Sequence, residues 1–392
     1  MNQEPHNKKP HNAGLESFTA KTMAGLETAL AEELETISAN QVIPGNRLVH
    51  FKGTFETMMR ANYECRTALR ILYPVASFVI HSQEQLYRKA SAIRWEDFFS
   101  TKQTFSIDEV VHDSVFNHTK FAALRLKDAI VDRFRKKSNQ RPSVDTGNPD
   151  ININLHITDK KVTISLDSSG DSLHKRGYRT ITGRAPINEV LAAGLIHLSG
   201  WDEITDFYDP MCGSGTLLLE ALMAAKKIPA GHYKNHFGFQ NWHFISQDSF
   251  KEIKTRADQK IIESPVQVYG SDIMSKAVEI TIQNAKNAGL NHYLSVKRRD
   301  FFKLHPQHNQ VLLITNPPYD ERMSENDINA FYKNMGDALK NHFQGFTAWL
   351  ISGNLDALKN IGLRSSKRIV LYNGPIESRF AKYELYQGSK RN

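Results

Sequence analysis

Hydrophobic positions recur with two different periods along this chain, and the switches between them mark its elements. From Gly25 to Leu34 apolar residues fall at helical spacing, and Phe55 to Tyr63, Gln83 to Ile93 and Phe121 to Phe134 repeat that pattern. Between these helices, Leu48 to Phe51, Ile71 to Ile80 and Thr104 to Val111 read as strands. The alternation is cleanest over Ile151-Asn152-Ile153-Asn154-Leu155-His156-Ile157, which predicts a strand with one apolar face. Val162 to Leu166 returns after the Asp159-Lys160-Lys161 turn. This mixture of helices and hairpins predicts an α+β region, separate from the carboxyl-terminal half of the chain.

Beyond Trp201 the pattern changes to short strands divided by helices. Ile204 to Tyr208, Val266 to Ser271 and Val296 to Arg299 are strand candidates, and Val311 to Ile314 is a run expected of a strand buried on both faces. Ala348 to Ser352 and Ile369 to Tyr372 complete this sheet.

Two loops carry the candidate chemistry. Asp209-Pro210-Met211-Cys212-Gly213-Ser214-Gly215-Thr216 joins the first of these strands to a helix over Leu217 to Ala225. Strand, glycine turn and helix form the nucleotide-binding arrangement of doubly wound sheets, in which Gly213 and Gly215 let the backbone approach a ligand. Leu218 stands where a dinucleotide fingerprint needs its third glycine, which argues against NAD. Asp272 ends the next strand, where a carboxylate can accept from a ribose diol, and Asp300-Phe301 follows the strand after that. In the second loop, Asn316-Pro317-Pro318-Tyr319 stops the Val311 strand, because neither proline can donate to a ladder. The Asn316 side-chain oxygen and the Pro317 carbonyl can accept the two hydrogens of an exocyclic amine, while Tyr319 stacks on the ring that bears it. A stiff loop without chemistry is the alternative for this motif alone, and a solvated carboxylate is the alternative for each acid alone. Their order along the chain favours the functional reading.

That ordered series resembles the class I S-adenosylmethionine-dependent methyltransferases of the amino-methylating type, over roughly Thr182 to Gln387. By this resemblance Asp209, Gly213 and Gly215 line the cofactor, Asp272 holds its ribose, and Asp300 and Phe301 hold its adenine. Asn316, Pro317, Pro318 and Tyr319 hold the target amine. About sixty residues separate the glycine loop from Asp272, where such units use about twenty, so an insert around His232 to Ile262 is expected. Leu173-His174-Lys175-Arg176-Gly177-Tyr178-Arg179 resembles the end of a THUMP domain and the segment after it. Together with Gly25-Leu26-Glu27 and Ala185-Pro186-Ile187-Asn188-Glu189, it makes the chain from Leu15 similar to the THUMP-containing family of large-subunit rRNA guanine-N2 methyltransferases. The resemblance implies a Rossmann-like, doubly wound α/β methyltransferase domain over 185–392 behind an α+β amino-terminal part. That part would comprise a ferredoxin-like region over 15–60 and a THUMP RNA-binding domain over 61–167, with a linker over 168–184. It also implies S-adenosyl-L-methionine as cofactor, large-subunit rRNA as partner, and guanine N2 as the methylated amine. Glu377 to Tyr386 is expected to return as an antiparallel edge strand.

Composition narrows the setting. Residues 1–14 are rich in His, Asn, Lys and Pro and read as a disordered tail whose histidines lack metal-ligand spacing, so no metal is expected. No apolar run reaches the length of a membrane span and the amino terminus is polar, which predicts a soluble, cytoplasmic protein. Cys65 and Cys212 are too few for a disulfide framework. A formal net charge of +8 favours a polyanionic partner. Arg133, Arg135, Lys136, Lys137 and Arg141 cluster about Phe134, and Lys175, Arg176 and Arg179 about Tyr178. Phosphate contacts are the expectation for both, with a solvated helix face the alternative for the first. Three rivals remain: a DNA or RNA adenine-N6 methyltransferase, a protein glutamine methyltransferase, and a non-catalytic RNA-binding protein. Oligomeric state is not legible.

Overall fold

The structure is a computed structural model, and it describes residues 14–112, 115–116, 118–181, 186–306, 311–318 and 324–386. The chain forms two compact units. The first gathers the chain up to Lys21, Ala31–Leu173 and Asn235–Arg256; the second gathers Thr22–Leu30, His174–Lys234 and the chain from Ala257 onward. Neither unit is continuous in sequence. Among the described residues no helix is long and apolar enough to cross a membrane.

Among the described residues the first unit holds eight strands: β1 (Glu16–Lys21), β2 (Asn40–Pro44), β3 (Leu48–Gly53), β4 (Arg70–Val79), β5 (Thr104–His112), β6 (Ser143–Val144), β7 (Ile151–Thr158) and β8 (Lys161–Asp167). They lie in the order β2-β3-β1-β4-β8-β7-β5-β6, antiparallel except where β5 runs alongside β7 and β6. The alternation that predicts β7 is realised, with Ile151, Ile153, Leu155 and Ile157 fully buried. Helix Phe55–Glu64 starts where it does because Thr54 and Thr57 form a reciprocal capping box. Ser82 caps Gln83–Ser91 in the same spirit, and Thr119–Ser138 ends on Asn139 in the left-handed conformation.

Asn235–Arg256 packs inside this first unit, although the chain on either side of it belongs to the second. Its rings explain why. Phe244 lies 5.4 Å from Phe55, Trp242 lies 6.2 Å from Tyr73, and Phe237 and Phe250 lie 6.3 and 6.0 Å from Tyr63. Such a density of aromatic residues needs a core to cover it.

Among the described residues the second unit holds seven strands: β9 (Phe207–Asp209), β10 (Val268–Asp272), β11 (Leu294–Arg298), β12 (Leu312–Thr315), β13 (Thr347–Ser352), β14 (Lys367–Asn373) and β15 (Ile376–Glu384). Their order is β11-β10-β9-β12-β13-β15-β14. The first five are parallel, and β15 runs antiparallel to both its neighbours. The antiparallel return expected over Glu377 to Tyr386 is therefore present, but it is not an edge. The edge on that side is β14, because β15 inserts between β13 and β14. Strand order reverses between β9 and β12, and the crevice at that switch point is where doubly wound sheets bind ligands.

Candidate active site

The glycine loop leaves β9 at Asp209, which is buried. Asp209 Oδ1 accepts from the Met211 amide at 3.1 Å and from the Thr315 hydroxyl at 2.7 Å. Burial pushes this carboxyl up to about 7; the two hydrogen bonds oppose that rise and the neighbouring Asp272 charge adds to it. Gly213 and Gly215 both have positive φ, 55° and 80°. A methyl group on Gly215 would overlap Thr281, whereas one on Gly213 would meet nothing within 4 Å among the described residues. The loop backbone therefore packs tightly on one side and borders open space on the other. Gly215 is the N-cap of helix Thr216–Ala225 and brings no side chain to cap it, so its first amides are left for a ligand.

The long insert does not displace Asp272. Because β10 pairs in parallel with β9, with Gly270 opposite Asp209, the carboxyl ends of the two strands stay side by side. Asp272 Oδ2 accepts from the Gly213 amide at 3.0 Å and Oδ1 from the Met274 amide at 2.9 Å. Asp300 follows β11, caps the short helix Phe301–Lys303 and accepts from the Phe302 amide at 3.1 Å. Phe301 is buried and stacks on Phe343 at 5.4 Å. Parallel pairing thus sets three acids at the ends of three adjacent strands.

On the far side of the switch point, β12 ends at Thr315 and delivers Asn316, Pro317 and Pro318. Asn316 Oδ1 is buried and has no hydrogen-bond partner among the described residues. Leaving a buried acceptor unpaired costs roughly 1–3 kcal/mol, so a group held in this state is poised for a donor that comes with a ligand. Pro317 is buried and Pro318 exposed. Tyr319 lies outside the described residues.

The expected phosphate contacts divide. Lys175, Arg135 and Lys136 are exposed, with Arg135 3.5 Å from Asp132. Arg133 and Lys137 both grip Glu96, at 2.7 and 2.9 Å. Burial opposes ionisation of that carboxyl, yet the two cations hold it down to about 2. Arg176 and Arg179 are a correction: neither presents its charge to a phosphate. Arg176 is 1% exposed and pairs with Glu220, which also accepts from the Tyr178 hydroxyl at 3.0 Å. Arg179 forks onto Glu189 with two contacts of 3.0 Å. Thr315, Glu189 and Glu220 are site-supporting residues that sequence reasoning missed. Glu220 leaves a signal, a lone acid within the apolar run from Leu217 to Ala225.

Residues 176–382 match the RMKL-like methyltransferase domain, 81–167 the THUMP domain and 17–72 the RlmL ferredoxin-like domain. The chain belongs to the RMKL-like methyltransferase family. It has the Rossmann-like α/β fold and the amino-terminal ferredoxin-like and THUMP regions that the sequence predicts. The ribosomal RNA large subunit methyltransferase K/L of Syntrophotalea carbinolica is 37% identical over 381 residues, covering 94% of this chain and 53% of that protein. That of Shewanella sp. W3-18-1 is 36% identical over 381 residues, covering 96% and 54%. The chain spans about half the length of these K/L relatives. A Synechocystis sp. protein named as a candidate RNA methyltransferase is 37% identical over 373 residues, covering 94% of this chain and 97% of its own. Among solved structures, the candidate methyltransferase SMU.472, complexed with S-adenosylhomocysteine, superposes with a TM-score of 0.86 at 26% identity, covering 96% and 99%.

Proposed function

We propose that this RMKL-like methyltransferase transfers a methyl group to the exocyclic amine of an RNA base, with guanine N2 of large-subunit rRNA as the acceptor. The observation that carries this reading is the buried Asn316 oxygen, without a partner among the described residues, at the end of β12 across the switch point from the glycine loop. The K/L names of the relatives and the match to a THUMP domain support RNA over DNA or protein. A cytoplasmic setting follows from that substrate.

The residues present fit the cofactor. Open space beside Gly213, an uncapped helix start at Gly215, and carboxylates at the ends of β9, β10 and β11 provide room, amides and acceptors. S-adenosylmethionine, when bound, supplies an electrophilic sulfonium methyl. The protein's task is then alignment rather than activation of a leaving group. Asn316 Oδ1 and the Pro317 carbonyl accept the two amine hydrogens and so aim the nitrogen lone pair. The same oxygens stabilise positive charge as it develops on nitrogen. Tyr319 supports the ring of the extruded base by resemblance. The extra proton departs after transfer and needs no dedicated base. Exposed Arg135, Lys136 and Lys175 are the phosphate contacts we retain.

The test is transfer of labelled methyl from S-adenosylmethionine to rRNA that lacks the modification, with wild type beside Asn316→Ala. We expect label in wild type, a loss of about 10²-fold or more in the variant, and N2-methylguanosine on nucleoside analysis. N6-methyladenosine would move the acceptor to adenine, and a protein that binds no cofactor would leave only the RNA-binding reading.

A further inference from the structure

We propose that Thr315 is the positioning residue that couples the donor loop to the acceptor loop, its hydroxyl holding Asp209 and the backbone that leads into Asn316 in one arrangement. The inference rests on the methyl-transfer reading above and adds to it how the two halves of the site stay aligned.

The ladder between β9 and β12 pairs Phe207 with Leu312 and Tyr208 with Leu313, and stops there. Both strands continue beside their other neighbours, β9 to Asp209 opposite Gly270 and β12 to Thr315 opposite Leu350. The two central strands therefore lose their backbone contact at the crevice where a ligand enters. The Thr315 hydroxyl crosses that gap and donates to Asp209 Oδ1 at 2.7 Å, with both residues almost fully buried. The same oxygen accepts from the Met211 amide, which belongs to the glycine loop. One oxygen thus ties the donor loop to the end of β12 and leaves Asp209 Oδ2 for other donors. Thr315 is followed directly by Asn316, whose own oxygen is buried without a partner among the described residues. A branched side chain has little χ1 freedom to absorb a shift at Asp209, so such a shift passes to the backbone that carries Asn316. Coupling of this kind is reciprocal in binding: filling either half favours the other.

The test compares Thr315→Val, which removes the hydroxyl and keeps the branching, with Thr315→Ser, which keeps the hydroxyl. S-adenosylhomocysteine binding is measured by calorimetry, and methyl transfer to unmodified rRNA in single turnovers at saturating cofactor. Thr315→Val should bind S-adenosylhomocysteine about tenfold more weakly and transfer roughly tenfold to a hundredfold more slowly, the scale of a lost hydrogen bond to a charged acceptor. Thr315→Ser should recover most of both. The slowing at saturating cofactor separates alignment from donor affinity. Added to Asn316→Ala, the valine should cost little further rate, because coupled residues are not additive. A role in packing alone would lower Tm without moving the pH profile. The coupling predicts the opposite, an acid limb displaced to higher pH, because a donor to the ionised Asp209 is gone while Asp272, Cys212 and Tyr208 still face it. Wild-type affinity and rate in Thr315→Val, or a serine variant as impaired as the valine, would overturn the proposal. Should wild type place no label in rRNA, it is the methyl-transfer reading that fails. Calorimetry then decides: weaker binding restored by serine supports Thr315, and unchanged binding overturns it.

Discussion

Arg133 on helix Thr119–Ser138 and Arg176 in the segment after β8 each grip one carboxylate, with opposite consequences. The Arg133–Glu96 contact is part-exposed and shared with Lys137, and its neighbours Arg135 and Lys136 stay in water. Arg176 and Glu220 are both fully buried, and Tyr178 closes the carboxylate from a third direction. A part-exposed pair contributes about 0–1 kcal/mol, because solvent screens it and ordering two long side chains opposes it. A buried pair is a different object. It need not outperform apolar packing, but neither partner can be removed alone without stranding the other charge. Clustered basic residues therefore report a phosphate surface only where no buried acid claims them.

The largest expected effect is on stability. Arg176→Ala should destabilise the protein by about 3–5 kcal/mol in denaturant unfolding, by stranding Glu220. Arg133→Ala should stay within about 1 kcal/mol. Replacing Arg176 and Glu220 together by methionine and leucine should recover much of the loss. If Arg176→Ala instead kept full stability and bound RNA weakly, the two clusters would be alike and the contrast would fall.

A smaller effect concerns Asp209, another buried acid of the second unit. Asp209 is raised from 3.8 to about 7 by burial, with no arginine paired to it among the described residues, unlike Glu220. The sign comes from linkage. A carboxyl raised in the fold favours folding fully below its unfolded value, near 4, and that contribution is lost as pH rises through about 7. Asp209→Asn should therefore be more stable than wild type at pH 8, by about 1–3 kcal/mol, and the gap should close towards pH 4. The same variant should lose cofactor binding. An Asn variant no more stable than wild type at pH 8 would show that Asp209 is not a destabilised acid kept for function.

Strand positions in the second unit were legible because a run such as Val311 to Ile314 has one physical meaning when bounded by prolines. The placement of the candidate site was legible for a related reason: parallel strands put all their carboxyl ends on one side, so Asp209, Asp272, Asp300 and Asn316 fall at one end of the sheet. The features that escaped depend on partners far away in sequence. Nothing local tells that Glu220 waits inside an apolar helix for Arg176, or that β15 slips between β13 and β14. Asn235–Arg256 carried a signal that went unread, since Phe237, Phe239, Trp242 and Phe244 are too apolar for a surface excursion. Thr315 sits one residue before the most informative motif. It was missed because its role comes from the strand beside it, not from its own neighbours in sequence.

The smallest effect is the one that sharpens the contrast most. Arg135 and Lys136 lie on the exposed side of the first cluster, and neither is buried against an acid. If they touch phosphate, each contact releases condensed counterions, and the slope of log affinity against log salt falls by roughly 0.7–0.9 for each one removed. Arg135→Ala and Lys136→Ala should each lower that slope by about this amount in filter binding to rRNA, equally for all sequences tested and with Tm unchanged. The same substitution at Arg176 should instead show as lost stability, about 3–5 kcal/mol, with no specific change of slope. An unaltered slope in both surface variants would make this stretch a solvated helix face. Lys175, exposed between the buried Leu173 and Arg176, would then be the retained phosphate contact to substitute next.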